Sequence, residues 1–423
     1  MELINWGGNV AFSARELHRP TSIAQLQQLI GRAHRDRLKV KALGSRHSFS
    51  RVADTDGALI SLDALPGTIE VDTRRKQVRV SAATRYGELS AALHGAGFAV
   101  PNLGSLPHIS VSGACATGTH GSGDSNAVLA AAVSAIELVS AGGELLTLDA
   151  DSWGDRFAGA VVALGSLGVV TTLTLDVEPA FTIRQYVYEG LALDTLAAHF
   201  DAIMSAAYSV SAFTRWRADE PAAQVWLKSR TGREEWDAKQ PWFGARAALS
   251  ARHPVAGQPP RHCTQQLGIE GPWHERLPHF RREFTPSTGH EIQSEYLVAR
   301  TFAADAIRSI QAIADTIAPV LQIAEVRTVA ADDLWLSPAY QQDSVALHFT
   351  WIQDMAAVSA AVDAVEHQLA PFAARPHWGK VFNVQPDTLA ELNPRQQDFT
   401  ALCKEFDPDA TFDNPFLGRY FPR

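Results

Sequence analysis

Two short alternating segments carry the side chains best suited to chemistry. In Ile323-Ala324-Glu325-Val326-Arg327, a carboxylate and a guanidinium stand two residues apart. On a strand, that spacing puts both on one face. In Val345-Ala346-Leu347-His348-Phe349-Thr350-Trp351, the apolar residues Val345, Leu347, Phe349 and Trp351 share one face, and His348 and Thr350 share the other. If the two strands are neighbours, one sheet face buries a core and the other offers Glu325, Arg327, His348 and Thr350 to a common space. The same period also fits a solvent face with a salt bridge. Further on, Arg375-Pro376-His377-Trp378-Gly379-Lys380 adds an imidazole and an ammonium where the chain can return to its N-terminal part.

Two other segments are suited to cradling a ligand. Gly44-Ser45-Arg46-His47-Ser48-Phe49 follows a predicted strand, Leu38–Ala42. Glycine and small hydroxyl residues let backbone N–H groups approach a phosphate, although polar turns of this kind are also common without a ligand. No G-x-G-x-x-G motif opens a strand–helix unit. The run from Pro101 to Gly123 is nearly uncharged and dense in Gly, Ser, Thr and Ala. It cannot form an amphipathic surface helix, but its backbone can press against a large flat group or wrap a pyrophosphate. Ile109, Val111 and Cys115 set it apart from a flexible Gly/Ser linker.

The elements that must position these groups read as a mixture of helices and short strands, so the fold class is α+β. Ser22 and Gln25 suit a capping box ahead of a helix carrying Ile23, Leu26, Ile30 and Ala33. Strands are predicted at 58–62, 68–71 and 77–80, and a helix with Tyr86, Leu89 and Leu93 ends at Gly95 and Gly97. Residues 135–149 form a hairpin turning at Gly142-Gly143, and Leu173, Leu175 and Val177 mark another strand. A domain boundary is placed at Glu178-Pro179. The stretch 215–290, rich in Trp and Pro, reads as loops packed by aromatics. Regular pattern resumes with a strand at 294–298, a helix carrying Phe302, Ile307, Ile310 and Ile313, strands at 321–329 and 344–352, and an Ala-rich helix over 356–370.

Composition bounds the rest. The 423 residues suit two domains, and 46% hydrophobic with 20% charged residues excludes a disordered chain. A net charge of −9 argues against nucleic acid as a partner, and no apolar run is long enough to cross a membrane. Three widely spaced cysteines exclude a disulfide scaffold and a metal knuckle, so no metal is expected. The N-terminus lacks a basic segment followed by an apolar one, which makes the cytoplasm the expected compartment.

Taken together, Gly44–Phe49, Leu106-Pro107-His108-Ile109-Ser110-Val111 and Ala116-Thr117-Gly118-Thr119-His120-Gly121 resemble the vanillyl-alcohol-oxidase class of flavoproteins. Within it the chain is most similar to the alditol oxidases, xylitol oxidases included. The segments 271–280, Gln293–Leu297, 375–380 and Phe412-Asp413-Asn414-Pro415-Phe416 fit the same group.

The resemblance implies a two-domain fold. Residues 1–179 and 372–423 would form an FAD-binding domain, and 180–371 a substrate cap with a mixed or antiparallel sheet. It implies FAD bound covalently through His47. Leu43, Gly44, Ser45, Arg46, Ser48 and Phe49 would line the cofactor, and Arg46 stands where many relatives carry Gly. Asn102, Ser105, Ile109, Ser112 and Gly113 would contribute from the second segment, with Ala116, Thr117, Gly118 and His120 beyond them. Val169, Val170 and His377 complete the set. Gly104 would permit oxygen access. Ser105, Glu325, His348 and Thr350 would bind a polyol, and Arg327 and Lys380 would serve the reacting hydroxyl. The implied partners are a small polyol and O2, acting on a monomer. A sugar-lactone oxidase or dehydrogenase of the same class, and a non-catalytic flavin- or polyol-binding protein, are the alternatives.

Overall fold

The computed structural model describes residues 3–217, 222–232, 236, 241–284 and 291–423. Apolar alternation in Val169–Asp176 builds the middle strand of a five-stranded antiparallel sheet. Its register sets Leu175 beside Val78 and Val133, and Leu173 beside Val80 and Ile136, so the buried side chains form transverse rows. Ile69–Asp72 and Leu145–Asp149 are the edge strands. A parallel three-stranded sheet, Glu16–His18, Ala58–Ser61 and Val40–Leu43, joins the same core. Helices Ile23–Arg35 and Tyr86–Gly95 contribute Leu26, Ile30, Leu89 and Leu93, all fully buried. Each such side chain stabilises the fold by about 1.5–3 kcal/mol.

Local signals act as expected at several ends. Ser22 Oγ accepts the Gln25 N–H at 3.2 Å, while Gln25 Oε1 reaches back to the Thr21 N–H at 2.8 Å, one residue earlier than a capping box requires. Gly97 and Gly143 both adopt positive φ, at a helix stop and a hairpin turn respectively.

Beyond Pro179 the chain enters a second, larger sheet. Its strands run Arg246–Ala247, Thr182–Ala192, Ala222–Arg230, Ser209–Thr214, Leu321–Val329, Ser344–Ile352, Glu291–Ala299 and Arg375–Pro376, with Gly271–Pro272 pairing beside them. All the pairings are antiparallel. One face, through Val326, Val345, Leu347 and Phe349, packs on helices Leu193–Ala198, Ala303–Ala312 and Met355–Leu369. Leu297 and Ala346 on the other face join the first core. No helix among the described residues is long and apolar enough to cross a membrane.

Two sequence expectations change, and the uncharged run gains an element the sequence did not show. The 215–290 stretch is not all loop: Ala222–Arg230 lies inside the large sheet and buries Trp226. The 101–123 run contains a six-residue helix, Val111–Ala116, set in the core rather than on the surface. Phe302, expected to face inward on a helix, precedes it and is 43% exposed.

Candidate active site

Strand register assembles the site. Glu325 lies opposite His348, and His348 lies opposite Glu295, so three neighbouring strands carry one transverse row. Arg327 stands two residues beyond Glu325 on the same face. The solvent-face alternative is excluded: Glu325 is 5% exposed and Arg327 4%. The short strand Arg375–Pro376 adds to the sheet edge, and the chain then folds back. His377 N–H donates to Glu295 O, Val381 N–H donates to Gln293 O, and Phe49 N–H donates to Gly379 O. Ser50 Oγ donates to Trp378 O at 2.7 Å. The 377–380 segment is thereby pinned between the large sheet and the His47 turn, which sets Lys380 beside the row.

Glu295 is the hub. Its Oε1 accepts from Arg327 Nη2, its Oε2 accepts from Lys380 Nζ at 2.5 Å, and His120 Nε2 lies 3.4 Å away. One carboxylate therefore fixes the spacing of two cations. Burial opposes its ionisation, but Lys380, Arg327 and His120 hold its pKa well below the ordinary carboxylate value. Burial also works against the Arg327 charge, and Glu325 and Glu295 overcome it, raising its pKa. For Lys380, burial wins despite Glu295, and the neighbouring Arg327 adds to the fall, so its pKa lies below the ordinary lysine value.

Lys380 Nζ also donates to His348 Nδ1 at 2.8 Å. The His348 proton then sits on Nε2 and is donated to Thr350 Oγ1 at 3.1 Å. Burial, reinforced by Lys380, keeps this imidazole neutral by pushing its pKa well down. On the far side of the row, His279 Nε2 meets Glu325 Oε1 at 2.8 Å. Burial alone would raise the Glu325 pKa, yet Arg327 and His279 lower it strongly.

A cavity of about 430 Å³ connects this cluster to the N-terminal turn. Leu43, Gly44, Ser45, Arg46, His47, Ser48 and Phe49 line it, as do Gly104, Ser105, Ile109, Ser112, Gly113, Ala116, Thr117, His120 and Val170. Glu325, Arg327, His348, Thr350, His377 and Lys380 line the same space. Asn102, Gly118 and Val169 stand outside the lining. Asn102 Oδ1 accepts the Leu103 N–H, Gly118 lies against Pro338, and Val169 is buried in its sheet.

The wall fits a large polar cofactor. Ser110 Oγ is buried without a hydrogen-bond partner, and a Cβ on either Gly44 or Gly113 would come within 2.7 Å of it. Bare backbone and an unmatched hydroxyl thus meet at one point of the cradle. Arg46 has φ +60°, the conformation that favours glycine, and its guanidinium reaches Ile4 O at 3.5 Å. Enclosure by protein, with Lys380 and His108 nearby, pushes the His47 pKa down to about 3, so this imidazole is neutral. Among the described residues, no group of three or more His, Cys, Asp or Glu side chains is placed to hold a metal ion.

Sequence reasoning missed Glu295 and His279 as site residues. Glu295 sits in Ser294-Glu295-Tyr296-Leu297, where Leu297 shares its face and a serine shares the apolar face, so alternation did not single it out. His279 follows Pro278 in an irregular segment, and only the folded chain brings it to Glu325, 46 residues on.

Profiles of two families match the chain: an FAD binding domain at residues 15–149 and a D-arabinono-1,4-lactone oxidase at 288–420. An alditol oxidase from a Streptomyces strain is 50% identical over 98% of this chain and 97% of its own. The chain belongs to the alditol oxidase family. An L-gulono-1,4-lactone dehydrogenase of Mycobacterium tuberculosis is 30% identical, with 98% of each chain covered. The cholesterol oxidase structure from B. sterolicum superposes with a TM-score of 0.78, covering 100% of this chain and 96% of its own at 14% identity, which is a likeness of fold. The family member described here is an FAD-dependent oxidoreductase acting on a CH–OH group with oxygen.

Proposed function

We propose that the chain oxidises the terminal primary alcohol of an acyclic polyol such as xylitol or sorbitol to the aldose, with O2 reduced to hydrogen peroxide. The observation that carries this reading is a pair of donors left for a ligand oxygen. Arg327 Nε is buried with no hydrogen-bond partner. Lys380 has three N–H groups and uses two, on Glu295 and His348. A hydroxyl placed between them receives two charge-assisted hydrogen bonds, which strengthen as negative charge grows on its oxygen. Each is worth about 2.7–4 kcal/mol to the barrier, by the standard of oxyanion donors.

Bound FAD supplies hydride acceptance and delivery of electrons to O2. In this reading His47 carries it covalently through the 8α-methyl group, a role suited to a neutral imidazole at the cavity wall. Residues 1–179 and 372–423 would form its domain, and 180–371 the cap. Glu325 and Ser105 would take the more distant hydroxyls, and Gly104 would leave a path for oxygen. Lys380 acts there as a charged donor to the developing alkoxide, its three N–H groups leaving it no lone pair to receive the hydroxyl proton.

A second reading, oxidation of an aldonolactone, draws support from the lactone-oxidase profile, because residues 288–420 include Glu295, Arg327 and Lys380. Turnover assays with xylitol, sorbitol and an aldonolactone decide between them. Activity on the lactone with none on either alditol would replace the first reading by the second.

A further inference from the structure

We infer that Lys228 and His279 are positioning residues that brace Glu325 from behind, Lys228 by holding the His279 ring through Nδ1 and His279 by donating to the carboxylate. The inference rests on the polyol reading above for what Glu325 grips, but not for the brace itself.

Lys228 lies on Ala222–Arg230, within the large sheet, and is 1% exposed. Placing an amine there is costly unless its N–H groups are matched. They are: Nζ donates to Leu277 O and contacts His279 Nδ1 at 3.1 Å. Glu325 is ionised and can only accept, so the ring proton lies on Nε2 and Nδ1 is left to accept from Lys228 Nζ. Nε2 donates to Glu325 Oε1 at 2.8 Å. The Phe213 and Trp226 rings stand edge-on to His279, with centroids at 5.2 and 5.3 Å, and confine the ring. Glu325 Oε2 faces Arg327 Nε at 3.6 Å. Both carboxylate oxygens are thus oriented, and the one nearer Arg327 is turned toward the donor proposed for the substrate.

If Lys228 lost its donor, His279 Nδ1 would be left buried without a partner, and the ring would lose the contact that holds it square to Glu325. The charged groups around the ring are Lys228, Glu325 and Arg327, and Cys263 faces Lys228. Burial, followed by Lys228, pushes the His279 pKa down to about 4. Burial likewise brings Lys228 down to about 7. Removing Lys228 lifts only the smaller of the two causes acting on His279, so its pKa should rise while burial still holds it below its ordinary range.

The test uses the flavin-loaded full chain. In ¹⁵N-histidine spectra, with His279 assigned by its loss in His279→Gln, the expected state is neutral with the proton on Nε2 from pH 6 to 9. A proton on Nδ1, or an imidazolium at neutral pH, would overturn the inference. In turnover, Lys228→Met is expected to raise the xylitol KM about tenfold with kcat changed less than about threefold, the split produced by lost uniform binding. It should also move the His279 ionisation upward on the acid limb of kcat/KM. Lys228→Gln, which retains a donor, should recover most of the loss. A folded Lys228→Met enzyme with wild-type KM and pH profile, or equal losses in both variants, would make Lys228 a packing residue only. A wild-type enzyme inert toward polyols would refute the proposed function instead. The tautomer, read without substrate, would still decide the brace.

Discussion

Replacing Lys380 by methionine keeps the length and apolar stem of the side chain while removing its charge and its three donors. Glu295 loses its 2.5 Å partner but keeps Arg327. The cost in stability should therefore stay below the ~3–5 kcal/mol of a buried charge left wholly unpaired. The cost in rate should be larger. One of two donors at the reacting oxygen disappears, and such donors are worth about 10²–10³ in rate. The Lys380 side chain is 13% exposed rather than sealed, which favours the lower end, roughly 10²-fold. His348 also loses the donor on Nδ1 and, after burial, the main charge depressing its pKa, so its pKa should rise. The assay is anaerobic stopped-flow reduction of the flavin by xylitol, with melting temperature as the control for folding. A folded variant that reduces within threefold of wild type would refute the assignment of Lys380 to the chemical step.

Other outcomes are open to simpler tests. Acid precipitation of purified protein should carry the yellow colour into the pellet, and His47→Ala should release it to the supernatant; free flavin from the wild-type chain would exclude the covalent bond. A Cβ at Gly104 would meet Ile109 Cδ1 and Thr119 Cγ2 at 3.7 Å, ordinary contact. Gly104→Ala should therefore fold normally and slow reoxidation by O2 while sparing reduction by xylitol, and unchanged reoxidation counts against an oxygen path there. Glu295 and Glu325 are held below the ordinary value of 4.5, so the folded state keeps them ionised where the unfolded chain would protonate. Their contribution to stability is complete above about pH 4.5 and is lost as pH falls through the lower folded values. Glu295→Gln should accordingly flatten the acid side of a melting-temperature profile between pH 7 and 3, and an unchanged acid limb would contradict the ion-pair hub.

The strands bearing Glu325, Arg327, His348 and Thr350 were legible because one of their faces is almost purely apolar, as in Val345, Leu347, Phe349 and Trp351. Their burial was not legible, since a period of two gives a half-buried and a fully buried sheet the same pattern. What decides it is the first core on the polar side, where Leu297 and Ala346 reach across. The strand Ala222–Arg230 escaped notice because its Trp, Lys and Arg resemble a surface loop, yet Lys228 is matched by a carbonyl and a ring nitrogen from the 277–279 segment. The ending Phe412–Phe416 could be recognised but not explained from sequence. In the fold, Asn414 Nδ2 donates to Val52 O at 3.1 Å and Asp54 O at 2.7 Å, tying the C-terminus to the chain just after the His47 turn.

The most direct test of polyol oxidation at the Arg327–Lys380 pair is a visible spectrum of the purified protein under anaerobic conditions, before and after xylitol, followed by admission of air. Bleaching of the flavin by xylitol, its recovery in air and one equivalent of hydrogen peroxide are predicted. A flavin spectrum indifferent to xylitol and sorbitol alike would contradict it.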